Sequence, residues 1–189
     1  MALTEAEKRM HRCCFAGPEK IPDEEFEEKL RKWLDRQINA AAAAGYRTFV
    51  CGMTPGTDLL AGTMVRQKRD TDPSAAFRLI CAPAWPDFSE EMSFMEGSQA
   101  RFLLNHADYV KQISRTFHED VFQERNRWIV QHCSRLIVWY DGRDHWPLDM
   151  IQCAMGTGVE IISNEPDEVA GFMKWLEQEK DRYVKPNGG

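Results

Sequence analysis

Two rhythms of apolar and polar positions alternate along the chain. Short runs that are apolar on both faces, Arg12–Ala16, Tyr46–Cys51, Ala76–Ala82 and Arg135–Tyr140, read as strands buried on both sides. Between them, apolar residues recur at helical spacing. Phe26, Leu30, Trp33, Leu34, Ile38 and Ala41 follow Pro22-Asp23, with Glu24 and Glu25 at the favourable positive end of the dipole and Gly45 placed to cap the far end. Further helices are expected from Gly56 to about Arg69, around Glu90–Asn105, over Glu119–His132, over Leu148–Met155 and over Pro166–Glu179. Shorter strands are expected at Tyr109–Ile113 and Val159–Ile162. Strands and helices in strict alternation predict an α/β, Rossmann-like three-layer sandwich: a mostly parallel sheet covered by helices on both faces. One domain over residues 12–180 is expected, with an N-terminal extension at 1–11 and a flexible tail at 181–189.

In such a sheet ligands bind beyond the carboxyl ends of the strands, where strand order reverses. Three segments near those ends carry candidate chemistry. In the first, Gly17 ends a strand where a residue lacking Cβ allows a sharp turn, and Lys20 offers a cation to a phosphate. The second is Gly52-Met53-Thr54-Pro55-Gly56-Thr57-Asp58, a strand-to-helix turn whose backbone N–H groups suit an anion, with hydroxyls at Thr54 and Thr57. Asp58 either caps the helix or holds a ribose hydroxyl. The third is Arg125-Asn126-Arg127, before the strongest strand. Both arginines cannot point into a core, so one pairs with Glu124 or with a phosphate, and Asn126 is placed to read a base or sugar.

Composition narrows the classes. With 24 Lys and Arg against 30 Asp and Glu, the formal charge of −6 disfavours a general nucleic-acid binder, although a local basic groove is compatible with it. No apolar run approaches the roughly 20 residues of a membrane span, and Glu5, Glu7, Lys8 and Arg9 are unlike a signal peptide, so a cytoplasmic location is expected. The six cysteines contain no CxxC pair, and the five histidines show no metal-ligand spacing. Buried thiols, no metal and no cofactor are therefore expected. Trp85, Trp146 and Trp175 are read as exposed aromatics available to an interface, leaving a homo-oligomer open.

Taken together, CCFAG-PEKIP, CGMTPGTDLLAG and ERNRWIVQHCSRLIVWYDG resemble the YpsA-like family of the SLOG superfamily, which also holds the DNA-processing protein A and the LOG phosphoribohydrolases. The resemblance runs from about Cys13 to Ile162. It implies a nucleotide-derived ligand, such as a nucleoside phosphate or an ADP-ribose-like molecule, over the strand ends. Two departures stand out. A His-Arg pair usual before the Pro-Glu-Lys of the first loop is missing between Gly17 and Pro18. The Gly-Thr turn usual after the fifth strand is replaced by Asp141-Gly142-Arg143-Asp144-His145-Trp146-Pro147, where Gly142 alone survives and Trp146 either stacks on a base or contacts a subunit.

No nucleophile–base pair and no carboxylate pair announces catalysis. The expected function is binding of a nucleotide derivative, as a sensor or sequestering protein. One alternative is hydrolysis of a nucleotide N-glycosidic bond, as in LOG relatives, with Asp58 and Glu124 as the available carboxylates and Arg125 as the clamp. Another is single-stranded DNA binding, for which no basic and aromatic stripe is evident in the sequence.

Overall fold

The computed structural model describes residues 3–140, 142 and 145–184. Six strands, all parallel, form one sheet: β1 (Arg12–Ala16), β2 (Thr48–Cys51), β3 (Arg78–Cys81), β4 (Tyr109–Val110), β5 (Arg135–Val138) and β6 (Glu160–Ser163), in the spatial order β4-β3-β2-β1-β5-β6. Strand order reverses at β1, which lies between β2 and β5. That crevice is the site expected for a ligand.

Period-two alternation divides the core between two faces. Cys13, Phe15, Phe49, Cys51, Leu79 and Cys81 face α2 (Glu24–Ala43), α3 (Thr57–Thr71) and α4 (Phe94–His106). Cys14, Ala16, Val50, Ile80, Leu136 and Val138 face α5 (Val121–His132), α6 (His145–Ala154) and α7 (Pro166–Val184). Because neighbouring residues on β1, β2, β3 and β5 are buried, those four strands read as continuous apolar runs.

The longest helix shows how sequence fixes its ends. The Asp23 carboxylate accepts the Phe26 amide at 2.8 Å, and Glu24, Glu25 and Glu27 stand in the first turn of α2. Leu30, Trp33, Leu34, Ile38 and Ala41 are buried along one stripe. Gly45 stops the helix at φ +91°, which a side chain would resist. Truncating Leu34, which is fully buried, to Ala costs about 2–5 kcal/mol.

Several expectations are refined. β1 has the bounds expected, β2, β3 and β5 lose a residue or two at one or both ends, β6 is shifted by one residue, and β4 keeps only Tyr109–Val110 of the five residues expected. The extension before β1 carries a short helix, α1 (Glu5–Arg9), begun by a capping box in which the Glu7 carboxylate accepts the Thr4 amide at 2.7 Å. Helix α6 starts at His145, earlier than the periodicity suggested, so Trp146 and Pro147 stand in its first turn, where proline costs nothing. Trp85 corrects the reading of exposed aromatics. It is buried at 7% exposure, edge-on to Phe117 and Phe122 at 5.1 and 5.6 Å. Five cysteines are buried and Cys153 is half-buried, all with free thiols; burial pushes the Cys13 and Cys14 thiols up and keeps them inert.

Candidate functional site

The first two loops are built against each other. A Cβ on Gly17 would lie 2.5 Å from the Thr57 hydroxyl, and one on Gly56 would lie 2.5 Å from the carbonyl oxygens of Pro18 and Glu19. Gly56 also has φ +68°, so glycine is required there twice over. The Pro18 carbonyl accepts both the amide and the hydroxyl of Thr57, at 3.1 and 3.0 Å. The Thr54 amide donates to Asp58 Oδ2 at 3.3 Å. The expected cradle of free amides is therefore corrected in part. Two of the turn's N–H groups already serve the protein's own oxygens, and the first loop lies close over the start of α3.

Between these loops sits a buried pair. Asp58 and Arg125, 6% and 4% exposed, flank Gly52: a Cβ there would come within 2.7 Å of Asp58 Oδ2 and 3.6 Å of Arg125 Nε. Arg125 Nη1 donates to the Gly52 carbonyl at 3.1 Å, and Nη2 and Nε donate to Asn126 Oδ1 at 3.0 and 3.3 Å. These bonds engage three of the five guanidinium N–H donors, leaving two without a protein acceptor among the described residues. Burial raises the Asp58 pKa to about 6, against the pull of Arg125 and of the Thr54 and Gly52 hydrogen bonds. Burial also lowers the Arg125 pKa, opposed chiefly by Asp58. Met53, buried beside this pair, holds φ 67°, a strained conformation for a residue with a side chain.

Two hollows meet at Arg125. The inner one, bounded by Gly17, Thr54, Asp58, Asn126 and Trp146, has about 10 Å³, room for one water. The outer cleft has about 120 Å³ and is lined by Met53, Trp85, Phe88, Met92, Phe122 and Trp146, with Glu19 and Glu91 at its edge. Trp146 lines both hollows. Its indole N–H donates to Glu19 Oε2 at 2.8 Å, and its ring meets Phe122 edge-on at 5.2 Å. The guanidinium carbon of Arg125 lies 5.3 Å from the Phe122 ring centre and 6.0 Å from that of Trp146. Aromatic walls beside a buried cation suit a flat ring joined to an anion. At about 120 Å³ the outer cleft is smaller than a whole nucleotide.

Of the residues singled out from sequence, the structure gathers Gly17, Met53, Thr54, Asp58, Arg125, Asn126 and Trp146 around these hollows. Gly52, Gly56 and Thr57 hold the loops in place. Lys20 and Arg127 are exposed and line neither hollow; Arg127 Nε donates to the Gln123 carbonyl at 3.3 Å. Glu124 lies 3.5 Å from His118 and lines neither hollow. Gly142 is exposed, with Glu168 as its nearest neighbour, and Asp141 lies outside the described residues. Sequence reasoning missed Glu19, Trp85, Phe88, Glu91, Met92 and Phe122. The signal lay in Pro83-Ala84-Trp85-Pro86, a proline-bounded aromatic at the carboxyl end of β3.

The chain's likeness to known proteins agrees with this architecture. Structurally it is similar to DNA processing protein A from Helicobacter pylori, described by its single-stranded DNA binding mode, at TM-score 0.56 and 12% identity, over 93% of this chain and 83% of that one. At that identity the likeness shows the fold. No curated protein matches the sequence. The family model described as the YspA SLOG family matches residues 22–152, from the start of α2 through most of α6, and the chain belongs to that YpsA family.

Proposed function

We propose that this protein binds a nucleotide derivative at the carboxyl ends of β1 and β2 and works as a sensor or sequestering protein rather than as a catalyst. One observation carries the reading: Arg125 is buried, fixed by Gly52 and Asn126, and retains two unengaged donors at the junction of the two hollows. A buried guanidinium is costly unless something anionic meets it, and Asp58 balances it only in part. A phosphate oxygen completes the set, with the base against Trp85 and Phe122. Membership of the SLOG family supports a nucleotide-type ligand. Free thiols at all six cysteines fit a reducing compartment, and among the described residues no helix is long and apolar enough to cross a membrane. Calorimetry with AMP, ADP-ribose, cyclic ADP-ribose isomers and cyclic dinucleotides tests the proposal. Saturable binding of at least one supports it, and silence from all at millimolar concentration discards it.

A second reading, N-glycosidic hydrolysis, draws on Asp58. A carboxyl with a pKa of about 6 is placed to exchange a proton near neutral pH. Glu124 does not join it, so Asp58 would act alone. Release of free base from nucleoside monophosphates, abolished by Asp58→Asn, supports this reading; none at high enzyme concentration removes it.

A further inference from the structure

One face of the sheet stays partly open. Helices α3 and α4 lie on the opposite face, so β3 and β4 are left uncovered at their amino ends on the face that α5 and α6 share. The strand register sets Arg12, Thr48 and Arg78 side by side across β1, β2 and β3, pointing to that open face like Cys14, Val50 and Ile80 two residues on. With strands about 4.8 Å apart, the two arginines stand roughly 10 Å apart with a hydroxyl between them. Ile80 registers with Tyr109, and Lys111 follows on the same side.

These residues line a groove of about 1210 Å³, far larger than the cleft at the carboxyl ends, walled by α1 and by Trp128 and His132 of α5. Five cations (Lys8, Arg12, Arg47, Arg78 and Lys111) face two carboxylates (Glu5 and Asp108), on a chain of net charge −6. Both carboxylates are engaged: Glu5 with Lys8 and Arg12 at 2.6 and 3.2 Å, and Asp108 with Arg69 at 2.7 Å. The side chains of Arg78 and Lys111 have no hydrogen-bond or ion-pair partner among the described residues. Tyr109 is 57% exposed beside them, and half-buried Trp128 stacks on His132 at 4.2 Å.

We propose that this groove is a second binding site and that its ligand is a single strand of nucleic acid. Unpaired cations along a channel attract successive phosphates, while Tyr109 and Trp128 offer ring faces on which unstacked bases lie. A duplex hides those base faces, and an acidic peptide has no use for the aromatics. The groove lies at the amino ends of the strands and Arg125 at their carboxyl ends, so each site is tested separately.

The test is fluorescence anisotropy of labelled oligothymidylate titrated with the full chain at low salt. The expected result is saturable binding that weakens steeply as salt rises. Arg78→Glu with Lys111→Glu should weaken it at least about tenfold at unchanged circular dichroism, Tyr109→Ala should weaken it at unchanged salt dependence, and Arg125→Gln should leave it unchanged. No binding by the unmodified chain, equal binding by the double variant, loss in Arg125→Gln instead, or equal binding of a duplex or of polyglutamate would each overturn the proposal.

Discussion

The indole N–H of Trp146 donates to Glu19 Oε2 at 2.8 Å, tying the first turn of α6 to the loop after β1. Through this bond the stretch after β5 and the loop after β1, the two places where the sequence analysis expects departures from the family pattern, meet each other. There the chain sets an aromatic ring 6.0 Å from the guanidinium of Arg125.

Nucleotide binding should therefore be visible in Trp146 itself. Binding is expected to quench tryptophan emission from Trp85 and Trp146, and Trp146→Phe to diminish the quench, whereas Trp175→Phe, at an exposed position on α7, leaves it intact. A steady-state fluorescence titration of the three proteins checks this. An undiminished quench in Trp146→Phe would place the ligand elsewhere.

The buried carboxyl predicts a particular pH response. Unfolded, Asp58 releases its proton near the ordinary value of 3.8, while folded it holds the proton to about 6. Between those values the folded chain binds more protons, so this group's contribution is fully present below about pH 4 and is lost as pH rises through 6. The loss is on the order of 2–3 kcal/mol. Urea unfolding across pH should show the stability of the unmodified protein relative to Asp58→Asn falling between about pH 4 and 6, then levelling off. A flat difference contradicts the burial assigned to Asp58.

Loop apposition predicts unequal glycine costs. Gly56→Ala meets backbone oxygens at 2.5 Å and an unfavourable φ, neither of which can move cheaply, and is expected to cost about 2–4 kcal/mol. Gly45→Ala has the same sign of φ but open space around it and should cost about 1 kcal/mol. Equal midpoints in urea for these two variants would show that the first loop does not pack on the start of α3.

Much of the fold was legible because local signals agree with the global pattern. Asp23 and Gly45 mark the ends of α2, and residues 135–138 of the Arg135–Tyr140 run form β5. The site was legible only in outline. Sequence kept both Arg125 and Arg127 as ligand candidates, since which of them is buried depends on which reaches the Gly52 carbonyl across 73 residues. It read Trp85 as exposed because its burial comes from Phe88, Phe117 and Phe122, partners set by the loop's path after β3. The basic row of Arg12 and Arg78 was invisible for the same reason: strand register, and not sequence spacing, brings them together.

The most direct test compares Arg125→Gln and Arg127→Gln by calorimetry with whichever nucleotide binds the unmodified protein most tightly. A charged hydrogen bond contributes about 1.5–3 kcal/mol, so Arg125→Gln should weaken binding about 10- to 150-fold while exposed Arg127→Gln binds as before. Unaltered affinity in Arg125→Gln, in a protein that still folds, would contradict a site centred on that guanidinium.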